Sequence, residues 1–424
     1  MAAAAYAAAP STEKSSEPTG LDLGPGGVPL HASRIASQVE ELRDLRFHDV
    51  PRVGVVSPDQ LTEVGQDLGR PRTSAQRRRD RAIIGVDQLA GTLPQRPASE
   101  LTRSGSAEQI GGAYDYAHNR VLLVEGSIAN RTELRLVLAH ELTHALEDQH
   151  FALHLGTLTE PSPAAQTRRA LVEGTATYVG GLYLRRYLGD QLPIRQRLEG
   201  HESLLASAST AWAIKAETIF EYVNGPIFVY RVFQRGDGWR SVNEALRRPP
   251  TQSTQILHPE GWRGQRRSGP IELGTSELLR GDWHLVGAGS AGEEDGLAIL
   301  GVGAPESQER AAMNGWGGGR FELWRQRGAT ADCGESCSED ETGVIGFHWR
   351  GPGDLHDFSS AFFSYALLGR IGTRIGAHTW RALSGGYAAL RAARRSSAIA
   401  FAPTPRLAGQ VAQRAARGIA TSAD

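Results

Sequence analysis

Two histidines four residues apart, His140 and His144 in "LVLAHELTHALEDQHF" (136–151), can share one ligand if the chain there is an α-helix. On a helix their Cβ atoms stand one above the other on the same face. Leu134, Val137, Leu138, Leu142, Ala145 and Leu146 surround them at helical spacing, so that face belongs in a core. Asn130 and Glu133 form an N-x-x-E capping box just ahead, which starts the helix at Asn130. Two buried imidazoles and the buried carboxylate of Glu141 need partners, because an unpaired buried polar group is costly. A zinc ion would supply them. Glu141 then sits beside the metal, where a general base that activates water belongs.

Zinc in a catalytic site takes three protein ligands and keeps a fourth position open. His150 is one candidate for the third, because it meets the spacing of the metzincin pattern H-E-x-x-H-x-x-G-x-x-H. Glu147 stands where that pattern has the glycine that lets the chain turn back. A helix that continues carries His150 about 9 Å beyond His144 along its axis. The methionine turn of that group is also missing, since Met313 lies far downstream. His150 then reads as a histidine at a helix C-terminus, favoured by the macrodipole. A metzincin-like protease using His150 stays as an alternative.

The second candidate is Glu173 in "RRALVEGTATYVGGLYL" (168–184). A carboxylate inside so apolar a helical run needs a partner. Gly174 beside it costs about 1 kcal/mol against alanine in a helix, and makes sense if this helix must approach the metal-bearing helix closely. His140, His144 and Glu173 would make a His₂Glu site with one open position.

H-E-x-x-H followed by E-G-x-A on the next helix resembles the gluzincins, the thermolysin-like clan of zinc metallopeptidases. The fuller wording, "HELTHALEDQHF", "ALVEGTATYV", "PIFVYRVFQRGDGW" and "STQILHPEGW", is similar to a poorly characterised group of prokaryotic, often exported, gluzincin-like proteins. The likeness covers roughly residues 35–262 and, more loosely, the downstream domain. It implies a zincin-like fold and peptide-bond hydrolysis with zinc as cofactor and Glu141 as general base. It also asks for a His or Tyr from downstream as oxyanion donor, for which Tyr222 and His258 are the candidates. In that layout the strand at 111–115 offers an open edge to an extended peptide. Many gluzincins place an aspartate four residues after the glutamate ligand, where this chain has Thr177. The implied alternative of another class is a zinc-stabilised surface or binding module with little or no turnover.

Length and pattern give the organisation. At 424 residues the chain exceeds what one core usually holds. Residues 1–32, with "MAAAAYAAAP" at the start, read as a disordered tail or the remnant of a signal segment, and incline the reading toward an exported protein. Its first basic residue is Lys14, so a basic n-region is absent. Residues 33–262 carry helices at 33–45, near 74–92, from Asn130, from Ser162 with Pro163 at its first position, at 205–234 and at 239–247. Strands are expected at 52–57, 111–116 and 120–126, the last two a hairpin around "AHN". "RGQRRSGP" (263–270) reads as a linker. Residues 271–424 alternate strands (283–287, 343–350, a pair within 385–402) with helices (292–301, 355–369, 404–417). The fold class is therefore α+β, a zincin-like metallopeptidase domain followed by a smaller α+β domain. "GWGGGR" (315–320) reads as a turn.

Composition narrows the partners. The net charge of -1 gives no reason to expect nucleic acid or an anionic membrane, and clusters such as "QRRRDR" (76–81) read as solvated helix faces. No apolar run approaches the ~20 residues of a membrane span. Cys333 and Cys337 are too few for a metal site, and form a small disulfide if the chain is exported or two thiols if it is not.

Overall fold

A computed structural model describes residues 32–61, 64, 73–95, 111–126, 128, 131–153, 162–189, 212–264, 269, 271–301, 306–329, 338–366 and 371–422. The alanine-rich start, the helix cap Asn130, most of the expected linker and both cysteines lie outside these residues. The fold is mixed α+β with two sheets. None of the described helices is long and apolar enough to cross a membrane.

The smaller sheet has three strands, β1 (Arg52–Val56), β2 (Gly112–Asp115) and β3 (Arg120–Val124), in the order β1-β3-β2. β1 runs parallel to β3, and β2 pairs antiparallel with it as the outer strand. The β2–β3 turn follows from Asp115. Its carboxylate accepts the Ala117 and His118 N–H groups and pairs with Arg120 Nε at 2.7 Å, while Asn119 takes the left-handed conformation at φ 46°.

Four helices pack beside this sheet: α1 (Ala32–Arg43), α3 (Arg131–Phe151), α4 (Pro163–Tyr187) and, by way of α4, α6 (Gly225–Arg235). The sheet, α1, α3 and α4 share a core that includes Ile35, Val39, Val121, Leu138, Leu142, Leu146, Val179 and Tyr183, while α6 packs on α4 in a second cluster with Leu171, Val172, Phe228 and Val229. α3 ends where Ala152 turns left-handed at φ 49° and Asp148 Oδ1 accepts the Leu153 N–H. α4 starts as its sequence dictates, with Ser162 Oγ accepting the Ala165 N–H and Pro163 at the first position.

The expected helix at 205–234 is, over its described part, α5 (Trp212–Ile219), a π-helical turn (Phe220–Asn224) and α6. Gly174 has a different neighbour from the one expected. It meets α6 and not the histidine-bearing α3: a Cβ on Gly174 would lie 2.4 Å from the Gly225 carbonyl carbon, and one on Gly225 would lie 2.1 Å from the Ala170 oxygen. The two helices cross backbone to backbone, which draws the π-helical turn in against Glu173.

The larger sheet has seven antiparallel strands in the order β4-β5-β6-β10-β9-β8-β7. They are β4 (Trp283–Ser290), β5 (Trp316–Gln326), β6 (Glu341–Trp349), β7 (Gly372–Gly376), β8 (Thr379–Ala382), β9 (Tyr387–Ala393) and β10 (Ser396–Ala402). One face buries Phe321, Leu323, Ile345, Phe347, Trp349 and Trp380. The other buries Trp324, Val344, Ala398 and Ala400 under the last helix, α12 (Pro405–Ser422). "GWGGGR" is not a turn: it opens β5. Its glycines are needed by the sheet, because a Cβ on Gly319 would lie 2.7 Å from the Ala291 carbonyl oxygen. Met313 is buried in this second core.

The two halves are interlocked. α2 (Ser74–Ala90) precedes α3 in sequence, yet it packs on β4, β5 and β6 through Ala82, Val86 and Leu89. In the cluster "QRRRDR", Arg77 and Arg78 are exposed, whereas Arg81 reaches across to the buried Glu341 at 2.5 Å. The remaining helices are α7 (Trp239–Arg247), α8 (Ser253–Leu257), α9 (Glu293–Leu300), α10 (Glu306–Met313) and α11 (Pro352–Ala361). Trp212 Nε1 donates to the Ala298 carbonyl, and Ser253 Oγ accepts the Glu293 N–H, so α5 and α8 are both tied to α9.

Candidate metal centre

α3 and α4 bring His140, His144 and Glu173 together, all three buried. His140 Nε2 lies 3.1 Å from Glu173 Oε2 and 3.0 Å from His144 Nε2, and His144 Nε2 lies 3.4 Å from the same carboxylate oxygen. Three ligand atoms from three side chains therefore converge within 4.8 Å, and among the described residues they are the set able to hold a metal ion. The donor set fits a divalent cation: two imidazole nitrogens and one carboxylate, with no lysine or arginine paired to that carboxylate among the described residues. Burial alone would push Glu173 up. The imidazoles, His144 foremost, outweigh burial and hold its carboxyl well below the usual carboxylate range.

Glu141 is buried on the same turn of helix. Burial pushes its carboxyl up to about 7; His140 works against that rise, Glu173 adds to it, and a hydrogen bond from the Tyr114 backbone N–H lowers it. That bond ties Glu141 to β2. The contact is possible because Gly111 and Gly112 lead into the strand: a Cβ on Gly112 would lie 2.9 Å from Val137 and 3.3 Å from Glu141 Cγ.

Tyr222 reaches the centre from the π-helical turn. Its ring stacks over His140 at 6.4 Å, and its hydroxyl is buried beside the Glu173 carboxylate without a hydrogen bond of good geometry. Burial and the nearby Glu173 charge push the phenol well above its ordinary value, so it stays a donor. π-Helical turns often mark functional sites, and this one directs Tyr222 inward between Glu221 and Val223. His258 is engaged elsewhere: its Nε2 lies 2.8 Å from Oε1 of the buried Glu293.

His150 does not join the cluster. α3 runs unbroken through Glu147 to Phe151, and His150 Nε2 lies 2.7 Å from the Arg46 carbonyl. Glu147, in the place of a turning glycine, is fully buried against Arg43, with Arg43 Nε 2.6 Å from Glu147 Oε1. Sequence patterning does not single out Tyr116 or Arg169. Tyr116, just past β2, is half-buried, and its phenol is pushed well above the ordinary value by desolvation and by the charges of Glu173 and Glu141. Arg169, one turn before Glu173, holds Glu221 at 2.8 Å and Glu217 at 2.9 Å. An arginine at that spacing before a buried glutamate is the available signal, but its acidic partners lie about fifty residues away. No protein-family model, curated protein or solved structure matches the chain.

Proposed function

We propose that the chain is a zinc-dependent peptidase with a zincin-like, gluzincin-type metal-binding half. The observation that carries this reading is the convergence of His140, His144 and Glu173 with Glu141 one residue after the first ligand. When bound, zinc polarises a carbonyl and makes water a usable nucleophile near neutral pH.

The chain's own residues supply the rest. Glu141, with a carboxyl near 7, is matched to taking a proton from water at neutral pH. As water adds to the amide carbon and the C–N bond breaks, Glu141 passes that proton to the departing amine. The Tyr114 N–H fixes the Glu141 carboxylate, so the base is oriented by the same strand that would hold the substrate. β2 pairs on one side with β3, and its other edge suits an extended peptide. The Tyr222 hydroxyl, protonated and buried beside the centre, is the donor suited to the oxyanion.

The test uses the full chain loaded with zinc, assayed on a broad fluorogenic peptide library. Glu141→Gln should keep zinc by elemental analysis and lose hydrolysis by about a hundredfold or more. Hydrolysis that survives in Glu141→Gln would overturn the mechanism. A second reading, a zinc-stabilised binding module, draws on two observations. Nδ1 of both His140 and His144 is buried without a hydrogen-bond partner among the described residues, and Thr177 stands four residues beyond Glu173. Metal sites usually orient their histidines through such outer contacts. A wild-type protein that binds zinc and cleaves nothing in the library would decide for the module.

A further inference from the structure

The net charge of -1 conceals a segregation. Residues 371–422 contain eight of the 46 basic residues, all arginine, and none of the 47 acidic ones, so the rest of the chain carries -9. This segment forms β7 to β10 and α12, one end of the larger sheet. α12 covers β6, β9, β10 and the margin of β8, and the β7–β8 hairpin projects past it.

The register says what that projecting face presents. Thr373, Arg381 and Tyr387 lie side by side across β7, β8 and β9, and Tyr387 packs with the α12 core, so Arg381 is on the α12 side. Leu383 is the first turn residue after β8, two positions beyond Arg381. Leu383 is 69% and Ile375 52% exposed, the two most exposed large apolar side chains among the described residues. Arg381 is exposed on the sheet and Arg406 at the start of α12, and neither has an acidic partner among the described residues. Arg391, level with Ala398 of the α12 core, is bonded to the backbone carbonyls of His378 and Leu390, so its charge is not cancelled, whereas Arg374, level with the buried Trp380, lies on the opposite side of the sheet.

We infer that this outer face of β7–β8, with the start of α12, docks on an anionic phospholipid surface. Arginines beside exposed aliphatic side chains match the two components of an interface, anionic headgroups and the acyl boundary. An added peptide strand fits less well: β7 is short, carries a register shift between Arg374 and Gly376, and spends the Arg374 guanidinium on carbonyls of its own turn. Nucleic acid fits less well because Leu383 and Ile375 give it nothing to stack on, and Trp380 is buried in the sheet.

The experiment is co-sedimentation of the full chain with large unilamellar vesicles. Those of phosphatidylcholine with about one part in three phosphatidylglycerol should bind it, more weakly as salt rises, while pure phosphatidylcholine should not. The double variant Arg381→Glu, Arg406→Glu should lower that affinity by about tenfold or more, and Leu383→Asn should lower it by a smaller factor. All three positions are exposed, so circular dichroism of the variants should match wild type. Equal binding to both vesicle types, no binding to either, or binding that the double variant leaves unchanged would overturn the inference. Displacement from vesicles by a short DNA duplex at equal charge would also overturn it, assigning the face to nucleic acid.

Discussion

Two charged centres lie one turn apart on the buried face of α3, and they are built on opposite principles. At Glu147 the chain brings its own cation: Arg43 arrives from α1, bonds Glu147 at 2.6 Å, donates to Asn243 at 2.6 Å, and lies over the Trp239 ring at 4.2 Å. At His140, His144 and Glu173 the chain brings two nitrogens with lone pairs and a carboxylate and, among the described residues, no guanidinium or ammonium. The first centre is closed by protein alone, whereas the second could hold a guest cation. The same helix therefore carries a structural pair and a candidate binding site, and what separates them is whether the positive charge comes from the chain.

Exchanging the carboxylates should break this contrast most sharply. Glu173→Ala should abolish stoichiometric metal binding, measured by elemental analysis and chelator competition, with the folded protein retained. His150→Ala should leave metal content at the wild-type level, because that imidazole is bonded to the Arg46 carbonyl. Metal retained in Glu173→Ala and lost in His150→Ala would show that the ligand set closes on α3 and not on α4. At the other centre, Arg43→Met should leave metal content unchanged and destabilise the fold by about 3–5 kcal/mol in chemical denaturation, because Glu147 is left buried and alone. The double variant Arg43→Met, Glu147→Leu should recover most of that loss. A single variant as stable as wild type would mean that the pair contributes nothing to closing this face.

How much of this could be read in advance depended on whether the constraint was local. The i, i+4 spacing of His140 and His144 fixes their common face by helix geometry, and Glu173 stands out because it lies in a run with no other reason to bury a carboxylate. Gly174 marks a close crossing, but a glycine does not say with which helix, and the partner is Gly225 on α6. Helical periodicity gives α2 a buried face without saying that this face belongs to β4–β6, two hundred residues downstream. β5 hides because its glycines look like a turn, and β7 because Arg374 and Ile375 do not alternate as a half-buried strand does; their environment is set by neighbouring strands. Tyr222 follows from the resemblance, but the π-helical turn that aims it is a product of the Gly174–Gly225 crossing.

A third carboxylate, half-buried, handles its charge in yet another way, by holding a proton. Asp87 on α2 and Asp295 on α9 line a cavity of about 60 Å³ together with Ser162, Gln166 and Ser290, where the two halves of the chain meet. Burial pushes Asp87 up to about 7; the Thr92 hydroxyl, 2.8 Å away, opposes this, and Asp295 and Glu217 add to it. Asp295 is pushed up to about 6, again by burial and Glu217, against the Gly292 N–H. A carboxyl whose folded value is raised binds more protons folded than unfolded, so its contribution is fully present below about 3.8 and is lost as pH rises through about 7. Wild-type stability should therefore fall between about pH 4 and 7 by an amount to which Asp87 contributes on the order of 2 kcal/mol, discounted for its partial exposure. Asp87→Asn can still accept from Thr92 and has no charge to bury. It should be close to wild type at the acid end of that window, progressively more stable toward neutral pH, and flat above it. Parallel wild-type and variant curves across the window would mean that Asp87 is already ionised in the fold and that this junction, like Glu147, has found a cation within the chain.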